Sequence, residues 1–258
     1  MSDATAQGEA WAPLRRDWPR ALRGLRGLAR QTDDTSQVFE IIHSLEGNTL
    51  ERSMQRTLSR PEGRALIASR SLLNPLLLDR EHLATLPEDT FGGAYLRFMV
   101  ASEITADGLD DAQDAAREHD ADDREMPPEY EYLGHRFVEQ HDLWHVLSGY
   151  DSDDTGELAN LWFSYGQFGQ LGMGFIALLG TIDGPPSLAW WRYMVRAYRR
   201  GRRAAFLVAQ PLEEMLELPL SDVRARLRIS EPALAHPKGL FAGDRSKHGI
   251  GSRRVLSA

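Results

Sequence analysis

The stretch HDLWHVLSGYDSDDTGELANLW, residues 141–162, decides the fold that we predict for this chain. Its first half carries two histidines four positions apart, which an α-helix places about 40° from each other on one face. Gly149 is a natural left-handed end for that helix, and Thr155 is a suitable N-cap for a second helix. The sequence therefore predicts a helix hairpin that turns between these two residues.

The predicted hairpin brings four metal-ligand side chains together. His141 and His145 share one face of the first helix, and Asp142 lies just beside them. Glu157 falls in the first turn of the returning helix, opposite the histidines. Two nitrogens and two carboxylates suit zinc, manganese or ferrous iron. The alternative is that the two histidines are ordinary core residues, hydrogen-bonded to the two carboxylates without a metal.

Two other metal motifs fit this stretch less well. The loop from Asp151 begins like a calcium-binding EF-hand, but its twelfth position is Trp162, where that loop needs a bidentate glutamate. Zinc proteases carry a glutamate general base directly after the first histidine, and here the shorter Asp142 stands in that place. We therefore expect Asp142 to ligate or orient, and the loop acids to be solvated or to cap helices.

Helical periodicity extends from this hairpin along most of the chain. We expect the apolar stripe before His141 to face the core, and Arg136, Glu139 and Gln140 to lean outward. Runs of alternating β-branched residues are few. The prediction is an all-α, single-domain multi-helix bundle over residues 1–258, with its metal site on the hairpin. Its ordered core spans about residues 11–230, between an acidic N-terminus and a loosely ordered tail, 231–258.

Composition limits the function classes. The chain has no cysteine, which excludes disulfides, thiolate nucleophiles and zinc-thiolate or iron-sulfur sites. Its net charge of −8 disfavours a general nucleic-acid binder. No apolar run approaches the ~18 residues of a membrane-spanning helix. The start, MSDATAQGEA, lacks the basic and apolar regions of a secretory signal, so we expect a cytoplasmic location.

Two further patterns concern lipid. Gly166, Gly169 and Gly172 recur every three residues, a spacing that admits either a second helix or an acyl chain. Between residues 188 and 203, arginines alternate with aromatic residues. They form either a solvated helix face or a helix that contacts an anionic membrane surface, and we prefer the second interpretation. A basic helix near the N-terminus can contact the same membrane surface. These arginines are Arg192, Arg196, Arg199, Arg200, Arg202 and Arg203.

The hairpin residues resemble a family signature, H-D-x-x-H followed by eleven residues and E. His141, Asp142, His145 and Glu157 fill every position, and GELANLWF follows at residues 156–163. Segments 16–42, 86–99, 197–216 and 218–227 are similar to the same family, so that the resemblance covers about residues 14–230. The family is the ubiquinone (coenzyme Q) biosynthesis family numbered four in the Coq series.

This resemblance implies an all-helical fold, a metal usually taken as zinc, and a role at the membrane. The implied reaction is oxidative decarboxylation at ring carbon C1 of a polyprenylated hydroxybenzoate-derived precursor. The implied ligands are the four signature residues, with His141 and Asp142 also catalytic. We expect peripheral association with the inner membrane, a homo-oligomer, contacts with other ubiquinone biosynthesis proteins, and no nucleic-acid partner. The alternatives are a non-catalytic polyprenyl-lipid-binding scaffold and, less favoured, a helical phosphohydrolase.

Overall fold

The predicted helical periodicity is present as α-helices in the computed structural model, which describes residues 14–30, 35–102 and 126–230. These residues contain no β-strand, only an isolated bridge between Thr90 and Pro219. The all-α prediction is confirmed. The helices are α1 Trp18–Arg30, α2 Thr35–Ser44, α3 Thr49–Leu58, α4 Pro61–Ser69, α5 Asn74–Leu78, α6 Arg80–Thr85, α7 Phe91–Ser102, α8 Pro128–Glu139, α9 His141–Ser148, α10 Asp154–Phe168, α11 Leu171–Asp183, α12 Leu188–Arg203 and α13 Leu220–Leu227.

The apolar residues of the basic first helix do not all face the core. α1 packs on α2 through Ala21, Gly24 and Leu28. Trp18 and Leu22 remain 45% and 43% exposed. A side chain at Gly24 would crowd α2, so the close approach at this glycine determines which face of α1 turns inward.

The centre of the fold is the packing of α10 against α12, which glycines make close. A Cβ atom on Gly166 would lie 2.4 Å from the carbonyl oxygen of Tyr198. A Cβ atom on Gly201 would lie 2.0 Å from the carbonyl oxygen of Phe163. Because neither glycine carries a side chain, the two backbones touch, and this contact fixes the helix that carries Glu157.

The three glycines at positions 166, 169 and 172 do not lie on one helix. α10 ends at Phe168, and Gly169 has a left-handed φ of 63°, which turns the chain into α11. Gly172 faces the backbone of α2, where a Cβ atom would lie 2.7 Å from the Cα atom of Ile42. Of the two readings of the glycine spacing, helix packing is the one seen at Gly166 and Gly172.

The face of α8 that we expected to lean outward is partly buried. Arg136 is fully buried, and its Nη2 donates to the Glu213 carboxylate at 2.6 Å and to the Gln210 carbonyl at 2.8 Å. Gln140 is also fully buried and accepts a hydrogen bond from Trp144. The expectation was wrong because the short 3-10 turns after α12 cover this face of α8 and supply its polar partners.

No helix within the described ranges is both long and apolar enough to cross a bilayer. Two segments lie outside these ranges: the tail 231–258, which we expected to be loosely ordered, and the acidic stretch 106–125, whose many acids and few apolar residues predict a solvated helix or connector.

Candidate metal centre

The predicted hairpin is formed by α9 and α10, with one correction to its cap. Gly149 adopts the expected left-handed conformation, with φ of 73°. The N-cap of α10 is Asp153 rather than Thr155, because its carboxylate accepts a hydrogen bond from the backbone N–H of Gly156 at 2.8 Å. Glu157 lies in the first turn of α10, as predicted.

Two arginines from other helices hold the end of α9. Arg200 donates to the carbonyl oxygen of Ser148 at 2.7 Å. Arg224 donates to the carbonyl oxygens of Val146 and Leu147 at 2.7 and 3.0 Å. These carbonyls lie at the negative end of the helix, where cations are favourable. The histidine-bearing helix is therefore held by α12 and α13 as well as by the hairpin.

Three of the four predicted ligand residues converge. The Nε2 atoms of His141 and His145 are 3.3 Å apart. Oε2 of Glu157 lies 3.2 Å from Nε2 of His145 and 3.7 Å from Nε2 of His141. Ligand atoms about 2.1 Å from a tetrahedral ion lie about 3.4 Å from one another. The spacing of these three atoms is therefore that of donors around one metal ion.

The hydrogen-bonding partner of His145 shows which of its nitrogens faces this point. Its Nδ1 lies 3.1 Å from the carbonyl oxygen of Tyr150, and a carbonyl oxygen only accepts, so we assign the proton to Nδ1. In the neutral ring, Nε2 then presents a lone pair toward Glu157. Oε2 of Glu157 is a buried atom without a hydrogen-bond partner in the described structure. Lone pairs that meet in this way need a cation between them, either a proton or a metal ion.

The pKa values of the pair show how strongly its members interact. Burial alone would lower the pKa of His145, but the Glu157 carboxylate, with smaller help from Asp142 and the Tyr150 carbonyl, raises it to about 9. Burial alone would raise the pKa of Glu157, but His145 and His141 lower it to about 2. Without a metal, a proton on His145 is therefore the cation that the site holds at neutral pH.

Asp142 lies beside this group but is not part of it. Its side chain is 8% exposed, and its carboxylate is not among the ligand atoms that lie within 4.8 Å of one another. Burial raises its pKa, while His141 and His145 oppose that shift. Its role as a fourth ligand therefore stays a prediction.

Two features of the site were missed from the sequence. The ring of Phe98 on α7 stacks on that of His145, with centroids 5.3 Å apart and planes inclined by 18°. The Tyr150 carbonyl orients the same histidine from the other side. No sequence signal links Phe98 to a histidine 47 positions later, whereas Tyr150 stands directly after the predicted helix end. His145 is 1% exposed and His141 20%, so the site opens on the side of His141.

Comparison with protein families gives one family match. The family model described as "Coenzyme Q (ubiquinone) biosynthesis protein Coq4" matches residues 29–233. A Danio rerio protein, "Ubiquinone biosynthesis protein COQ4 homolog, mitochondrial", is 30% identical over 194 residues, which are 72% of this chain and 66% of that protein. The matched part of the chain therefore spans just under two thirds of that relative.

Other similar proteins are also described as ubiquinone biosynthesis proteins. A Rattus norvegicus protein of that name is 29% identical over 225 residues, 84% of this chain and 79% of its own. The Schizosaccharomyces japonicus "Ubiquinone biosynthesis protein coq4, mitochondrial" is 29% identical over 195 residues, covering 72% and 75%. A crystal structure of a candidate ubiquinone biosynthesis protein from Nostoc punctiforme is 23% identical, with a TM-score of 0.61 over 83% of this chain and 98% of that one. At this identity the crystal structure supports the fold alone.

Proposed function

The chain belongs to the coenzyme Q (ubiquinone) biosynthesis family Coq4, and from this premise we propose that it catalyses an oxidative decarboxylation in ubiquinone biosynthesis. The proposed substrate is a polyprenylated hydroxybenzoate-derived precursor, whose ring carbon C1 loses its carboxyl group and gains a hydroxyl. The observation that carries the proposal is the convergence of three lone-pair atoms, from His141, His145 and Glu157, at a partly open point.

The donor set fits a divalent metal. His141, His145 and Glu157 would hold it, with Asp142 as the proposed fourth ligand, and zinc is preferred over manganese or ferrous iron. When bound, such an ion supplies Lewis-acid stabilisation of negative charge next to the substrate carboxylate or phenolate. The buried hydrogen bond from His145 to Tyr150 fixes one ligand ring in the orientation that this requires.

The shape of the site supports the proposed reaction by excluding water and by orienting the substrate. Phe98 covers the face of His145, and the burial of that histidine keeps water from this side. Because His141 is the more exposed ligand, the substrate ring approaches from its side, and the chain holds the carboxyl group close to the ligands. The proposed oxidant is dioxygen. The precursor acid, water and dioxygen then give the hydroxylated ring, carbon dioxide and hydrogen peroxide, which balances atoms and electrons.

The test is carbon dioxide release from a precursor labelled at its carboxyl carbon, using purified, metal-loaded protein under oxygen. We expect His141→Ala to abolish release. His135→Ala is the matched control, because His135 is 38% exposed on α8 and lies outside the site. Normal turnover by His141→Ala would reject the proposal.

A second candidate is a non-catalytic scaffold that binds the polyprenyl lipid and presents it to other ubiquinone biosynthesis enzymes. The almost complete burial of His145 favours this alternative, because a deeply buried metal ion also serves as a structural element. The scaffold predicts that metal removal unfolds the protein and that the labelled precursor releases no carbon dioxide with this protein alone.

The proposed function also bears on the cellular location of the protein. The relatives from Danio rerio and Rattus norvegicus are described as mitochondrial. For this chain we propose peripheral association with the inner membrane from the cytoplasmic side, since the precursor carries a polyprenyl tail that partitions into lipid.

A further inference from the structure

The outward side of α12 carries apolar residues where a solvated helix normally carries polar ones. Leu188, Trp191 and Val195 are 65%, 37% and 40% exposed, and their spacing of three and four residues places them in one stripe. The opposite side of the helix already packs into the core through Trp190 and Met194, which are 4% and 0% exposed. α12 is therefore apolar on two sides, and its outer stripe stays between 37% and 65% exposed in the described structure.

A stripe of arginines runs next to the outer apolar stripe. The two stripes together are here called the arginine-bordered face. They line a depression of about 700 Å³, and no carboxylate is among its lining residues in the described chain. All of α12 contains six arginines and no acidic residue, in a chain whose net charge is −8. The members of the face are Leu188, Trp191, Val195, Arg192, Arg196, Arg199 and Arg203.

Arg200 adds a fixed cation to the same depression. Its side chain is buried, with 8% of the residue exposed. Nε donates to the hydroxyl of Ser230 at 2.9 Å, and Nη2 donates to the carbonyl oxygens of Ser148 and Ser230 at 2.7 and 2.9 Å. Nη1 is buried and has no hydrogen-bond partner among the described residues. These hydrogen bonds hold the Arg200 guanidinium in a fixed position beside the depression.

Two more exposed apolar residues lie near the corner between α11 and α12. Ile182 and Leu178, near the end of α11, are 62% and 41% exposed. The two helices are joined at this corner by the hydrogen bond from the indole N–H of Trp190 to the carbonyl oxygen of Thr181, at 2.9 Å. The corner between the two helices is therefore held by a buried hydrogen bond, and its apolar residues are exposed to solvent.

We propose that the arginine-bordered face is the surface by which this protein docks on anionic phospholipid. Leu188, Trp191 and Val195 enter the headgroup region, and the neighbouring arginines contact lipid phosphates while their stems lie along the apolar layer. This inference gives the proposed peripheral location a particular surface. It does not depend on the proposed chemistry at the metal site.

Charge and shape favour lipid over the other occupants. A second copy of the chain, packed face to face by a two-fold axis, would place arginine against arginine. Nucleic acid would leave the exposed apolar stripe without a partner. An anionic bilayer matches both stripes at once, because phosphates and acyl chains lie next to each other at its surface.

The first test is flotation of the full chain with vesicles of phosphatidylcholine alone or mixed with phosphatidylglycerol. We expect binding only to the mixed vesicles, weakening as salt is added. Arg192→Gln/Arg196→Gln/Arg199→Gln should lower the partition coefficient by roughly 100-fold. The matched control removes equal charge from exposed positions of α1, as Arg23→Gln/Arg26→Gln/Arg30→Gln, and should keep most of the binding.

The second test places a probe in the apolar stripe and does not need the arginine variant to fold. Because the chain has no cysteine, Val195→Cys can be labelled at one site with an environment-sensitive dye. We expect a blue shift on adding phosphatidylglycerol vesicles, and none for a label at Ser221→Cys, an exposed position on α13. His141→Ala should float like the unmodified chain, so a failure of the decarboxylase proposal leaves this test valid.

Three results would overturn the inference: no binding to the mixed vesicles, loss of binding with the α1 variant but not with the α12 variant, and an unshifted label at position 195 in vesicle-bound protein. The inference would also be overturned if the protein bound RNA through the α12 arginines and did not bind vesicles. The face would then belong to a nucleic-acid partner.

Discussion

Nε2 of His145 lies 3.2 Å from Oε2 of Glu157, and this contact joins the two arms of the α9–α10 hairpin. Since Nδ1 of His145 donates to the Tyr150 carbonyl, the two facing atoms both present lone pairs when the histidine is neutral. His141 adds a nitrogen 3.3 Å from that of His145. Either a proton or a metal ion can hold this arrangement together, and the competition between them can be measured.

Metal affinity should rise with pH because the metal must displace a proton. The pKa of His145 in the metal-free protein is raised to about 9 by Glu157, so His145 is protonated at neutral pH. Each ion bound below about pH 9 then releases one proton from it, and affinity should increase about tenfold per pH unit. A zinc titration against a competing chelator between pH 7 and pH 8 measures this slope. A pH-independent affinity would contradict the proposed exchange.

The metal-free protein should be most stable in mildly acidic solution. The lowered pKa of Glu157, about 2 against an ordinary 4.5, gives stability that is present above pH 4.5 and lost as pH falls toward 2. The raised pKa of His145, about 9 against 6.5, gives stability that is present below pH 6.5 and lost as pH rises through 9. Urea unfolding across this range should show a maximum between about pH 4.5 and 6.5.

The control for this pH dependence is Glu157→Gln, which removes the charge that shifts the pKa of His145. Its unfolding midpoint should change much less between pH 6 and pH 9 than that of the unmodified chain. Equal changes in the two proteins would mean that other groups cause the dependence.

Asp142 can be separated from the three converging residues by its effect on metal binding. If its carboxylate ligates the metal or orients a ligand, Asp142→Asn should weaken metal binding by at least about 10-fold. Glu157→Gln and His141→Ala should weaken it at least as much, because their ligand atoms belong to the converging group. Elemental analysis after dialysis measures how much metal each variant retains, with His135→Ala as the control. Full metal retention by Asp142→Asn would exclude both a ligating and an orienting role for this residue.

The hairpin was predictable because its signals are local. Two histidines at helical spacing, Gly149 at the end of α9 and Glu157 in the next first turn all lie within 17 residues. The cap was placed two residues late because Asp153 and Thr155 are both good N-caps, and the choice depends on how tightly the loop folds against Gly156.

Features that depend on distant partners were not predictable. Phe98 reaches His145 only because α7 packs on α9, and nothing in either segment specifies that pairing. Arg136 was expected to lean outward because it lies off the apolar stripe that leads to His141. Its partner, Glu213, lies 77 residues away on a 3-10 turn that local periodicity does not reveal.

The packing of α10 on α12 should make Gly201 intolerant of any side chain. Gly201→Ala would place a methyl group 2.0 Å from the Phe163 carbonyl oxygen, which is backbone and cannot swing aside. We expect a loss of about 1–3 kcal/mol in the free energy of unfolding, by overpacking. Gly27→Ala is a matched control, because its new Cβ would meet only the movable end of the Gln37 side chain. It should be neutral or gain up to about 1 kcal/mol from helix propensity.

The buried ion pair between Arg136 and Glu213 should be sensitive to the loss of one partner. Arg136→Met leaves the Glu213 carboxylate, 8% exposed, without its cation, and we expect a loss of about 3–5 kcal/mol in the free energy of unfolding. Glu213→Leu added to Arg136→Met should restore part of this loss, because it removes the unpaired charge. Recovery should be incomplete, since Arg136 also donates to the carbonyl oxygens of Val208 and Gln210. Urea unfolding of the two single variants and the double variant measures the coupling, and additive losses would show that the two side chains do not stabilise each other.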